Sequence, residues 1–266
     1  MRTVAPEYEF IDEVEAVYSV GSTSKEWMVN TFTEEHRTQI NRTTQISSNA
    51  WVDSVLTEDV DFGFWSPTRG SFLESHPIFA NLMSRPTLTK DDFAEFKSLS
   101  HLNEEYGVVP AETVTDHAID TGRKSSPEKM LVHYMQPHAP YLRNTTQNGQ
   151  EITSTEKDPF GELRSQGNKA EIFELYLDNL RYVLDSVELL LNNLDRERVL
   201  ITADHGELFG EFGISNHIAG VPHPNLKKVP LVETSATDNQ TYVPDTSDEV
   251  IQDSSVEDRL ADLGYL

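Results

Sequence analysis

Val199-Leu200-Ile201-Thr202-Ala203-Asp204-His205-Gly206-Glu207 places an apolar run directly before a carboxylate, an imidazole and a glycine. Val199 to Thr202 reads as a short buried strand. Ahead of it, Ile172, Leu175, Tyr176, Leu180, Val183, Leu184, Val187, Leu190, Leu191 and Leu194 recur in steps of three and four. That spacing predicts an amphipathic helix over 170–194. Ahead of the helix, Met130-Leu131-Val132-His133-Tyr134-Met135 is a second apolar run, stopped by Pro137. Strand, helix and strand in this order predict an α/β fold: a three-layer αβα sandwich whose sheet is mainly parallel. Ligands in such sheets bind just beyond the carboxyl ends of the strands.

The same alternation extends toward the N-terminus. Glu15 to Val20 reads as a strand that ends at Gly21. Ser22-Thr23-Ser24 then offers capping hydroxyls for a helix over Lys25 to Phe32. Thr44 to Ser47 is a further strand, and Pro110 to Thr121 a helix with proline at its first turn. A helix is also expected over Asp91 to Leu102, a loop-rich stretch over Asp53 to Pro86, and a loop or insertion over Asn144 to Gly167. Val229-Pro230-Leu231-Val232 is a strand whose proline points to a sheet edge or a strand start. Val256 to Leu263 closes the chain as a short helix. All 266 residues are expected to form one domain.

Chemistry gathers after two of these strands. Adjacent side chains of Asp204 and His205 diverge, so one can face each of two neighbouring ions. Gly206 permits a sharp turn, and Glu207 can support a ligand from behind. The plainer alternative is a helix-capping Asp204 and a loop-bonded His205. A second histidine follows on a glycine-bracketed loop, in Asn216-His217. A third, His138, stands between Pro137 and Pro140, whose rings restrict its direction. Three histidines and an aspartate after two strands favour a metal site. Their oxygen and nitrogen donors suit Zn²⁺, Mn²⁺ or a related divalent ion. His223 and Lys227-Lys228 read more simply as turn and solvated residues.

These segments resemble a known family. Thr202-Ala203-Asp204-His205-Gly206-Glu207-Leu208-Phe209-Gly210-Glu211, Asn216-His217 and Lys228-Val229-Pro230-Leu231-Val232 are similar to the C-terminal signature of the sulfatase branch of the alkaline phosphatase superfamily. Met135-Gln136-Pro137-His138-Ala139-Pro140-Tyr141 is similar to that branch's His-x-Pro-Tyr/Phe segment. The resemblance runs from about residue 110 to 266 and is weak before it. It implies an alkaline phosphatase-like fold and a divalent metal ion: Zn, Mn, Ca or Mg. Asp204, His205 and His217 would be metal ligands, and His138 would serve a second metal or the substrate's anionic group. It further implies a hydrolase or transferase acting on an anionic sulfate or phosphate ester, with glycan or lipid-linked groups among the family's habitual substrates.

The resemblance has gaps. The formylglycine route needs a Cys or Ser in a (Cys/Ser)-x-Pro-x-Arg frame. There is no cysteine, and Pro67-Thr68-Arg69 places Trp65 at the nucleophile position. Ser22 and Thr23, at a helix start after a strand, are the nucleophile candidates, with simple capping as the alternative. The strand that should precede them with an acidic ligand does not read in residues 1–13. The chain therefore reads as beginning late, or as a short form lacking part of the metal site. A catalytically inactive binding or scaffold protein of the same fold is the rival expectation.

Composition excludes other classes. The 45 acidic residues outnumber the 21 basic ones, for a net charge of −24 and an isoelectric point near 4.6. Such a surface repels nucleic acid. With 37% hydrophobic residues and patterned segments the chain is not disordered. Acid spread along the whole chain predicts life in concentrated salt, where self-repulsion is screened, and the general look is that of haloarchaeal sulfatase-like proteins. No run is long enough to span a bilayer, and the N-terminus does not read as a signal peptide. A cytoplasmic location is expected.

Overall fold

The computed structural model describes residues 1–56, 87–102, 107–165 and 167–247. The expected C-terminal helix, the Pro67-Thr68-Arg69 frame and most of the expected 53–86 loop lie outside them. Strand β1 (Glu15–Tyr18) leads into helix α1 (Ser24–Thr31), α2 (Arg37–Ile40), β2 (Thr43–Ser47) and α3 (Trp51–Val55). Strand β3 (Glu95–Ser98), helix α4 (Ala111–Ser125) and β4 (Lys129–His133) follow. Next come α5 (Arg143–Asn148), α6 (Ser154–Lys157), α7 (Pro159–Ser165) and the long α8 (Lys169–Leu191). The described chain ends with β5 (Arg196–Thr202), β6 (Leu208–Glu211), β7 (Ile214–Asn216), α9 (Pro224–Lys227) and β8 (Lys228–Ala236).

Two three-stranded sheets result. In the order β3-β2-β4 every pairing is parallel, with Ser47 opposite both Ser98 and His133. In the order β1-β8-β5 the pairing is antiparallel, and β6 and β7 form a separate hairpin. Successive residues of a strand face opposite sides, and β2 is buried along almost its whole length. Ile46 packs with Val114 and Ala118 of α4 and with Leu190 of α8. Phe96, paired with Gln45, packs instead with Met28 and Phe32 of the α1 segment and Val52 of α3. Helices therefore cover both faces of this sheet, the layered α/β arrangement the sequence implies.

Helix α8 joins the two sheets. Asn168 caps it by accepting the Ala170 N–H at 3.1 Å. Leu190, with Met130 and Val132 of β4, packs against the cluster of Ile46, Val114 and Ala118. Leu184 meets Ile201 and Val232, while Val187 and Leu191 meet Val199, Ala236 and Tyr134. Each fully buried Leu or Val contributes about 1.5–3 kcal/mol, so this helix face is a main source of stability. Its length aligns the ends of β4 and β5, where the site lies.

Two expectations need correction. Residues 91–102 are not helical. Thr89 and Asp92 form a capping box around only one 3₁₀ turn, Lys90–Asp92, and residues 95–98 are drawn into the ladder beside β2. The 144–167 stretch is not a plain loop. Helix α5 stops at Gly149, whose φ of 62° suits glycine, and Thr153 and Glu156 box-cap α6. Of the two places Pro230 pointed to, the strand start is the one found, for β8 is the middle of its sheet. Pro230 is tolerated because it lies near the strand's start, past the last β5 pair, Thr202 with Leu231.

Candidate active site

The site begins where β5 ends. The Thr202 hydroxyl donates to the Pro230 carbonyl at 2.7 Å, holding the strand end against β8. The Ser19 hydroxyl donates to the Asp204 carbonyl, and the Gly206 N–H donates to Leu226 O at 2.8 Å. The backbone passes so close to α9 that a Cβ on residue 206 would lie 1.9 Å from Asn225 O. Only glycine fits there. The turn is thus set by contact rather than by a left-handed φ.

Asp204 points inward. Its Oδ1 accepts the His205 N–H at 2.9 Å. Its buried Oδ2 makes no hydrogen bond. It faces His133 Nε2 at 3.5 Å and His205 Nε2 at 3.7 Å, both beyond an ordinary N–H···O contact. Burial pushes this carboxyl's pKa up. The adjacent His205 and His133 rings and the Ser24 hydroxyl outweigh that and hold it below the usual carboxylate range. Asp204 is therefore an anion.

The histidine tautomers follow from their partners. His205 Nδ1 lies 2.8 Å from Gly206 O. A carbonyl only accepts, so Nδ1 carries the proton and the neutral ring presents its Nε2 lone pair to the site. Burial lowers the His205 pKa, with Asp204 opposing. The Ser24 hydroxyl, 3.3 Å from His205 Nε2, donates to that lone pair. His138 repeats the pattern. Its Nδ1 meets the carbonyl of Ala139, and burial, with repulsion from His217, pushes its pKa down to about 4. His217 Nδ1 donates to the Glu207 carboxylate at 3.2 and 3.4 Å. The His205 and His217 rings stand 4.3 Å apart, and those of His138 and His217 5.3 Å.

Asp204, His205 and His138 therefore line one cleft of about 780 Å³, together with Ser24, His133 and Glu207, and His217 adjoins it through its ring contacts with His205 and His138. Ser22 and Thr23 behave differently. The Thr23 hydroxyl accepts the Glu26 N–H at 3.2 Å as the helix cap. The Ser22 hydroxyl donates to Glu26 Oε2 at 2.6 Å. It is Ser24, the first residue of α1, that faces Asp204 and His205. His223 caps α9 by accepting the Asn225 N–H at 3.1 Å. Sequence reading passed over Ser24, grouped with its capping neighbours, and His133, which sits inside an apolar run. Ser24's position as third hydroxyl at a helix start, and His133's as a strand's last residue, were the signals available.

The donor set suits a divalent cation: a buried, ionised carboxylate oxygen without a hydrogen bond, beside neutral imidazole lone pairs and no sulfur. Among the described residues no group of three or more His, Asp or Glu side chains is placed to hold a metal ion. No helix among them is long and apolar enough to cross a membrane.

Comparison with known proteins agrees with this layout. Among curated proteins none matches the sequence. The soluble domain of lipooligosaccharide phosphoethanolamine transferase A from Neisseria meningitidis shares the fold, with a TM-score of 0.54 at 12% identity. The alignment covers 90% of this chain and 70% of that one. The Sulfatase family profile matches residues 31–258, most of the chain and all of the Asp204–His217 segment. On that match, the chain belongs to the Sulfatase family.

Proposed function

We propose that the chain is a hydrolase or transferase of sulfate or phosphate esters that works with a divalent cation held by Asp204 and His205. The carrying observation is the buried Asp204 Oδ2, which faces the His205 lone pair beside the Ser24 hydroxyl. A cation bound there would lower the pKa of a neighbouring hydroxyl and offset charge on the transferred group. Ser24 Oγ, rather than Ser22 or Thr23, is placed to attack. It forms a bond to sulfur or phosphorus, and the bond from that atom to the ester oxygen breaks. The departing oxygen leaves with the electron pair and takes up the proton that the Ser24 hydroxyl gives up. Water or an acceptor hydroxyl then removes the group from Ser24.

His138 lines the far side of the site, with His217 packed against it. With its Nδ1–H given to a carbonyl and its pKa near 4, neutral His138 offers a lone pair rather than a donor. That favours a second cation there over direct contact with an oxyanion. Glu207 orients His217 from behind. The neighbouring fold of a phosphoethanolamine transferase makes a lipid-linked or glycan-linked phosphate ester a substrate worth assaying beside sulfates. The acidic composition supports a high-salt environment.

Aryl sulfate and aryl phosphate turnover, with Zn²⁺ or Mn²⁺ supplied in high salt, tests the reading. Wild type should turn over at least one, and Ser24→Ala and Asp204→Ala should abolish it while folding normally. The engagement of Ser22 and Thr23 in the helix cap favours a second reading, binding without turnover. Activity that survives Ser24→Ala unchanged, or none under any condition, overturns the first.

A further inference from the structure

Strand β4 ends the sheet β3-β2-β4, and β5 ends the sheet β1-β8-β5. The two edges run side by side in one direction. At their starts Arg196 Nη2 reaches Pro127 O at 3.2 Å, and at their ends His133 Nε2 lies 3.5 Å from Asp204 Oδ2. Side chains thus bridge the edges at both ends, while no main-chain pairing joins them among the described residues. Both strands turn one face to the same helix. Val132 and Tyr134 pack beside Leu190 of α8, and Val199 and Ile201 beside its Val187 and Leu191. The cleft continues from the site between these edges, with Val132 and Tyr134 on one, Ile201 and Thr202 on the other, and Val183 and Val187 of α8 along it.

We propose that this slot takes one apolar β-strand of another polypeptide, parallel to β4 and β5, which joins the two sheets into one. The lining dictates the occupant. Each sheet edge presents a row of main-chain N–H and C=O groups that lack a ladder partner. A hydrocarbon chain would satisfy the apolar face of α8 but neither edge, whereas an extended peptide satisfies all three. Its alternate side chains point at α8 and are apolar; the others point to the open face, where Leu200 of β5 is 49% exposed. Charge sets its direction. Glu128, Asp195 and Glu197 are exposed where β4 and β5 start, on a chain of net charge −24, so the incoming strand is basic at its leading end. Its last residues then arrive beside His133 and Asp204. The proposal concerns assembly and stands apart from the cation reading above.

The test uses the full chain and a dye-labelled synthetic peptide in which two lysines precede alternating valine and threonine. Fluorescence anisotropy should rise to saturation as protein is added. The same peptide with a central proline, or with N-methyl groups along one edge, should bind at least about tenfold more weakly, since each loses ladder hydrogen bonds. The chain has no cysteine, so Leu200→Cys supplies a single exposed thiol. Peptides carrying one cysteine, activated as a mixed disulfide with thionitrobenzoate, should link to it at alternate positions only, because side chains of a paired strand alternate between faces. Absence of saturable binding overturns the proposal. So does equal binding of the N-methylated peptide, or linkage at every position, since either means contact without strand pairing. A labelled fatty acid that binds more tightly than the peptide would assign the slot to a hydrocarbon chain, and a dimer of the protein that the peptide dissociates would make a second copy the occupant; both overturn it as well.

Discussion

Two residues expose the site's physical logic. Gly206 is required by the 1.9 Å approach of a would-be Cβ to Asn225 O. Gly206→Ala should therefore push β5's end away from α9, costing about 1–3 kcal/mol in denaturant unfolding. An unchanged midpoint would show that the two backbones part freely. His138 gives a pH signature. Its pKa, ordinarily 6.5, is pushed down to about 4 by burial. As pH falls the unfolded chain takes up this proton first, so the folded state loses stability from about pH 6.5 down to 4. Metal-free wild type should lose up to about 3 kcal/mol over that window by this group. His138→Gln should show a shallower loss there, and an identical pH profile would count against a buried neutral ring.

At the scale of elements, α8 positions the site as well as building the core. Fully buried Asn179 accepts the Leu142 N–H at 3.0 Å and donates to His138 O at 3.1 Å. Asn179→Ala leaves both groups without that partner. It should cost about 2–4 kcal/mol in thermal unfolding and weaken activity through a misplaced His138. Much of this architecture was legible in the sequence. The α8 periodicity spans enough turns for its apolar face to be unambiguous, and the β5 run ends at Asp204. The 91–102 segment was not legible. Its short polar strand is held by a parallel neighbour far away in the chain, and local spacing carries no trace of that. The candidate cluster of Asp204, His205, His138 and His217 was legible as a grouping, because those residues stand in a recognisable motif. Ser24 and His133 were hidden, because what distinguishes them is which way a helix start and a strand end face.

For the whole molecule, charge and connection matter most. A net charge of −24 opposes compaction until salt screens it. The unfolding midpoint should rise steadily between about 0.1 and 2 M KCl, where the Debye length falls from about 10 Å to below 3 Å. A midpoint indifferent to salt would remove the argument for a saline home. Helix α8 packs against both sheets, and the candidate site draws on both: His133 ends β4 of one, Asp204 and His205 follow β5 of the other, and Ser24 starts the helix after β1. Membership of the Sulfatase family then bears on one question, whether these groups transfer an ester's sulfuryl or phosphoryl group through Ser24. The direct measurement is the intact mass of protein quenched during turnover of an aryl phosphate or sulfate with Zn²⁺ present, followed by peptide mapping. The account predicts a transient gain of one phosphoryl or sulfuryl group on Ser24, absent in Ser24→Ala and Asp204→Ala. Turnover with the group found on Ser22 or Thr23, or with no covalent species on any residue, would contradict it.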